Sequence, residues 1–211
     1  MKIIITENQY ELLKEMEDKP KVYHFPSLDI FGHEKPIDNW NLMQKFLTKK
    51  GNPDFTITGD LDLSDTLIES LGNLISVGGT LYLMGTQIKS LGKLTSVGGG
   101  LFLEYSSIES LGNLTTVGGA LSLEGTPIKS LGNLKSVGGS LYLKSSPIKS
   151  LGELTSVGGN IYLTDTSIKS LGNLTSVGGS LFLRRTPISK NYTEEEIRSQ
   201  VNVEGKIYLW K

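Results

Sequence analysis

From residue 61 onward the apolar positions of the chain fall on one fixed grid. With Leu61 as position 1, aliphatic residues return at positions 1, 3, 8, 11, 14 and 17 of a twenty-residue period. Six complete units run from 61 to 180, and a seventh begins at Leu181 and breaks after Ser189. Position 1 is Leu except at Ile161, position 3 is always Leu, and position 8 is Ile from Ile68 to Ile188. A repeat of this length predicts a solenoid, in which each unit is one coil. Positions 1 and 3 alternate as residues on one face of a strand do, so the pattern predicts one parallel strand per coil. A single coil has too small a core to fold alone, and stacking on its neighbours supplies the missing burial.

The polar positions are as regular as the apolar ones. Glycine occupies position 12 and the pair 18–19 in every complete unit, where the path must turn and a positive φ would favour it. Position 6 is Thr or Ser throughout, from Thr66 to Thr186. One hydroxyl per coil is expected to form a ladder, bonding to turn backbone that burial would otherwise leave unpartnered.

The grid is absent from residues 1–54, which read as an α+β amino-terminal cap. Lys2–Ile5 predicts a short strand and Thr6 opens a helix with Tyr10, Leu13 and Met16 on one side. A second helix is expected from Asp38 to about Lys49, with Trp40, Met43, Phe46 and Leu47 on one face and Gly51 as its stop. Phe55 and Ile57 then alternate into the array, which spans 55–189. Residues 190–211 read as a closing helix and strand, in which Thr193 and Glu196 have capping-box spacing and Lys206-Ile-Tyr-Leu-Trp repeats the strand pattern.

The frame L-x-x-L-x-x-V-x-G-x-L-x-L-x-x-T-x-I resembles a short leucine-rich repeat with Thr or Ser where that family places Asn or Cys. The SVGGxLxL rhythm is similar to the L domains of growth-factor receptors, which implies a right-handed β-helix with one strand per coil. Near-perfect arrays with comparable end segments are also similar to bacteriophage-encoded repeat proteins. The fold expected is therefore a mainly β solenoid with short helical caps.

Composition narrows the function classes. A formal net charge of −1 lacks the basic excess of a nucleic-acid binder. The absence of cysteine removes thiolate metal sites and cysteine nucleophiles. The amino terminus is too short in apolar residues for a signal peptide, and no apolar run is long enough to span a bilayer, so a cytoplasmic location is expected, the host cytoplasm for a phage-encoded chain. His24 and His33 lie near Asp29 and Glu34 without tight ligand spacing, and no histidine stands inside the array to activate its many hydroxyls. No catalytic residue, cofactor or metal site is expected, and the chain reads as a non-enzyme.

One row of residues breaks the blandness. Position 2 lies between two inward leucines, and it reads Asp62, Tyr82, Phe102, Ser122, Tyr142, Tyr162, Phe182 and, in the last strand, Tyr208. Coils about 4.8 Å apart would align these rings into a stripe. Beside it, position 4 varies and carries Glu104, Lys144 and Arg184. A constant frame with a varied, aromatic face suits recognition of a protein partner, whereas cross-strand ring contacts would equally stabilise a spacer or virion component without a ligand. A polysaccharide-binding solenoid is a third reading.

Overall fold

The computed structural model describes residues 22–209. The expected strand at Lys2–Ile5, the helix opening at Thr6 and the end of the last strand at Trp210 lie outside these residues. Within them, the twenty-residue grid folds into a β-solenoid of parallel strands with short helical elements at its ends.

Each coil contributes two short strands where the alternation at positions 1 and 3 predicts one. Positions 16–17 and 1–2 are both paired, as in the strands Ser96–Val97 and Leu101–Phe102. The first set joins a nine-stranded parallel sheet and the second an eight-stranded one. Partners are one period apart, with Ser136 opposite Ser156 and Leu141 opposite Ile161. Between the sheets the chain bends at Gly-Gly. The amides of Gly98 and Gly99 both donate to the preceding coil, to Val77 O and Gly79 O at 2.8 Å each. Successive residues of a straight strand face opposite ways and cannot do this.

The bend explains the glycine pair differently from the positive φ that its turn position suggests. No residue of the pair is left-handed in any coil. Instead the backbone is rotated so that a side chain would point along the solenoid axis into the preceding coil. A Cβ on Gly118 would lie 2.0 Å from Gly98 O, and one on Gly138 2.1 Å from Gly118 O. No side chain fits there. Positive φ occurs at position 12, for example Gly132 at 56°, and at position 5, where it is imposed on Tyr105 and Arg185 at 57° and Ser145 at 58°. Position 5 is the third residue of a turn closed by the position-6 amide on the position-3 carbonyl, as Ser146 N donates to Leu143 O. That is the slot a type II turn reserves for φ > 0.

Positions 1, 3, 8, 11, 14 and 17 are all buried and line one continuous core. The position-6 hydroxyls run no ladder between coils. Each donates within its own coil to the position-3 carbonyl, as Thr86 Oγ1 does to Leu83 O and Ser146 Oγ to Leu143 O, both at 2.7 Å. This satisfies a carbonyl at the turn. The ladder between coils belongs to position 15, where Thr115 Oγ1 donates to Thr95 O and Thr175 Oγ1 to Thr155 O.

At the amino-terminal end, β1 (Val22–Phe25) pairs in parallel with β2 (Asp54–Ile57). Between them runs α1 (Pro36–Lys49), two residues longer than its pattern suggests because Pro36 takes the first helical position. Trp40, Met43 and Leu47 are buried. Phe25 packs edge-on against Phe46 and Phe55, and Trp40 lies tilted against Phe55, so an aromatic cluster seals this end of the core. At the other end, Thr186 caps a short helix, α2 (Pro187–Asn191), that the broken seventh unit did not predict. The capping box of Thr193 and Glu196 then opens α3 (Glu194–Gln200), whose Ile197 is buried together with Val201 just beyond it.

The two glycine roles separate in mutants. Gly118→Ala forces a backbone clash and is expected to cost about 3 kcal/mol, the upper range for overpacking. Gly132→Ala meets nothing within 4 Å and is expected to cost only the roughly 1–2 kcal/mol of a left-handed alanine. Urea denaturation of both variants checks the order, and an equal loss would contradict it.

Candidate interaction surface

The two-residue strands of the eight-stranded sheet place position 2 outward and in register, with Tyr142 opposite Tyr162 and Phe182 opposite Tyr208. The rings follow the backbone spacing. Tyr142–Tyr162, Tyr162–Phe182 and Phe182–Tyr208 stack at centroid distances of 4.8, 4.6 and 4.5 Å with planes within 11°. Tyr82 and Phe102 form a separate pair at 5.3 Å. Ser122, which lies between Phe102 and Tyr142 in the register, divides the stripe into two and four rings. Ring faces inside the stacks are covered by neighbours, and every ring is half-buried with its edge outward.

Phe102 and Tyr162 lean back along their own strands towards the position-20 residue two places before them. A Cβ on Gly100 would lie 2.7 Å from Phe102 Cε2, and Asn160 Nδ2 donates to Tyr162 Oη at 3.2 Å. Small or amide residues at position 20, such as Gly100, Ala120, Ser140 and Asn160, are the sequence counterpart of this tilt.

Position 4 continues the outward face. Lys144 and Arg184 are exposed, whereas Glu104 and Glu124 are half-buried, and one carboxylate oxygen of Glu104 is buried without a hydrogen-bond partner. Beyond them, Arg185 pairs with Asp165 of the coil before. The guanidinium hydrogen bond, reinforced by its charge, holds the Asp165 carboxyl below its ordinary value. Tyr105 is the most exposed aromatic residue of this face.

A second surface escapes the pattern of apolar positions. On the nine-stranded sheet, the small residues at positions 16 and 18 leave an open groove of about 760 Å³ along six coils, floored by residues such as Ser96, Gly98, Ser136 and Gly138. The uniform smallness of position 16 is the signal that marks it.

The two histidines stand apart. His24 Nδ1 lies 2.7 Å from Thr56 Oγ1 on the neighbouring strand, and His33 exchanges backbone hydrogen bonds with the Asn39 side chain. Among the described residues no group of three or more His, Asp or Glu side chains is placed to hold a metal ion. No helix among them is long and apolar enough to cross a membrane.

Stacking energy follows position in the stripe. Tyr162→Ser removes two ring contacts and is expected to cost about 1–3 kcal/mol, and Tyr82→Ser, which removes one, about half of that. Equal losses in urea denaturation would mean that the stacks add nothing. For Asp165, the depressed value means that the pair stabilises the fold above the ordinary carboxylate range and loses that contribution as pH falls through the folded value. In Arg185→Gln the Asp165 midpoint, read by NMR, is expected to rise towards the ordinary value. Comparison of the chain with protein-family models, with curated proteins and with solved structures returned no match.

Proposed function

We propose that the protein is a non-enzymatic recognition module that binds a protein partner through the outer face of the eight-stranded sheet. The observation that carries this reading is the contrast between an unvarying frame and a face on which rings alternate with charges of both signs. Tyr82, Phe102, Tyr142, Tyr162, Phe182 and Tyr208 supply rigid, half-exposed edges and phenol hydroxyls, and Glu104, Lys144 and Arg184 flank them. Tyrosine edges with nearby charges are favoured anchors at protein interfaces. A sugar platform needs an open ring face, and stacking covers the faces of Tyr162 and Phe182 on both sides, which speaks for a protein over a polysaccharide.

The stacking also favours a second reading, a spacer or virion component in which the stripe only stiffens the array. The leucine-rich-repeat resemblance of the frame and a cytoplasmic location go with the first reading, and the likeness to phage-encoded repeat proteins fits either.

The test compares what the wild type and a Tyr82/Tyr142/Tyr162→Ser variant retain from a cell lysate, after circular dichroism has established that the variant is folded. The expected outcome is a partner retained by the wild type and lost by the variant. Identical captures would overturn the reading and favour the spacer.

A further inference from the structure

Charge changes sign along the array. Residues 54–125 carry eight Asp or Glu and two Lys, whereas residues 126–190 carry eight Lys or Arg and two Asp or Glu. The change is displayed on the flank that follows the eight-stranded sheet, where positions 5, 7 and 9 face outward between the buried positions 6 and 8. Position 9 runs in register from coil to coil, since Glu109 N donates to Lys89 O and Lys149 N to Lys129 O. Asp65, Glu69 and Glu109 are exposed on the first coils of this flank, and Lys129, Lys149 and Arg185 on the last. Among the described residues Asp65, Glu69, Glu109 and Lys149 form no ion pair within the chain.

The same flank holds the two most exposed large apolar side chains among the described residues, Leu67 at 78% and Tyr105 at 79%. Tyr105 occupies a left-handed slot at φ 57°, which the coils on either side fill with Gly85 and Gly125. A tyrosine held there costs free energy that glycine avoids, and strain of this kind is characteristic of functional positions. The ring reaches over the next coil, because a Cβ on Gly125 would lie 2.7 Å from Tyr105 Cδ1. Gly125 belongs to the fourth of the seven coils from Leu61 to Ser189. Tyr105 therefore covers the middle of the flank, where the charge changes sign.

We infer that two copies of this chain associate antiparallel along this flank, the acidic half of each against the basic half of the other. A second copy turned end for end about an axis over Gly125 presents the same rows to the first, so the contact is self-complementary. It sets Glu109 opposite Lys149 of the second copy and Asp65 opposite Arg185 of the second copy, each pair occurring twice. Leu67 meets Pro187 of the second copy. The two Tyr105 rings meet across the axis, at the centre of the contact, where binding energy concentrates. A parallel arrangement would set like charges against each other. Lys129 faces its own counterpart at the axis and Lys89 faces Lys169 of the second copy, and this repulsion limits the strength of the dimer. The contact lies beside the ring stripe and does not rest on the strand-face reading.

Sedimentation equilibrium of the full chain reads the contact. The expected result is a monomer–dimer equilibrium that stops at two copies. Its dissociation constant is expected to rise at least fivefold from about 0.05 M to about 0.5 M salt, as screening shortens the reach of the charges. Tyr105→Gly relieves the left-handed strain, so it is expected to raise resistance to urea while weakening the dimer at least tenfold. Glu109→Lys and Lys149→Glu are each expected to weaken self-association at least tenfold, and an equimolar mixture of the two to recover a dimer as tight as that of the wild type. Lys129→Gln is expected to tighten it. A wild type that stays monomeric at submillimolar concentration, growth beyond two copies, a dimer indifferent to salt, full association in Tyr105→Gly, a weaker dimer in Lys129→Gln or a mixture no tighter than its components would each overturn the inference. The Tyr82/Tyr142/Tyr162→Ser variant is expected to dimerise as the wild type does, so loss of a lysate partner in that variant reports on the stripe by itself. Loss of its dimer would move the contact to the stripe and overturn the flank.

Discussion

Each coil lies against the one before it through a backbone contact that admits no side chain. The chain turns between its two sheets at positions 18 and 19, and there the space that a Cβ would occupy holds the carbonyl of the preceding coil, 2.0 Å from the ideal atom at Gly118. The consecutive amides of Gly98 and Gly99 bond into that coil. Spacing and register at the bend propagate outward along both strands, so the inward leucines meet their counterparts one period away and the outward residues form straight rows. The core, the hydroxyl bonds and the aromatic stripe all depend on that close approach.

The stripe shows how a repeated backbone converts single substitutions into surface features. Rings at one outward position are brought to stacking distance by strand spacing alone, so that a single Ser122 divides the row into a pair and a quartet. The same logic makes position 5 costly. The turn requires a left-handed residue, glycine supplies it at Gly85 and Gly125, and Tyr105, Ser145, Asp165 and Arg185 bear the strain. Side chains kept at a strained, outward position contribute to the surface what glycine could not, as the Asp165–Arg185 pair does.

Periodicity made the solenoid legible before any coordinates, because the apolar grid has one period and one set of inward positions. The capping box at Thr193 and the helix ending near Lys49 were legible for the same local reason: their signals lie within a few residues of the structure they specify. The second strand per coil was not. Positions 16 and 17 carry a single inward valine, too short an alternation to mark a strand, and their pairing comes from the coils on either side. The strand at Val22–Phe25 was hidden likewise, since its partner at Asp54–Ile57 lies beyond a whole helix.

The rows of the candidate surface belong partly to each level. Sequence alone determined which side chains share the stripe, since position 2 falls between two leucines that must face inward. It also determined that Ser122 interrupts the row. Only the tertiary structure decided that the rings stack face to face, that Phe102 and Tyr162 lean over position 20, and that a Glu104 oxygen is buried without a donor. It also decided that the glycine pair answers a close approach and not a positive φ. These depend on distances between coils, and a residue's own neighbours in the chain do not carry that information.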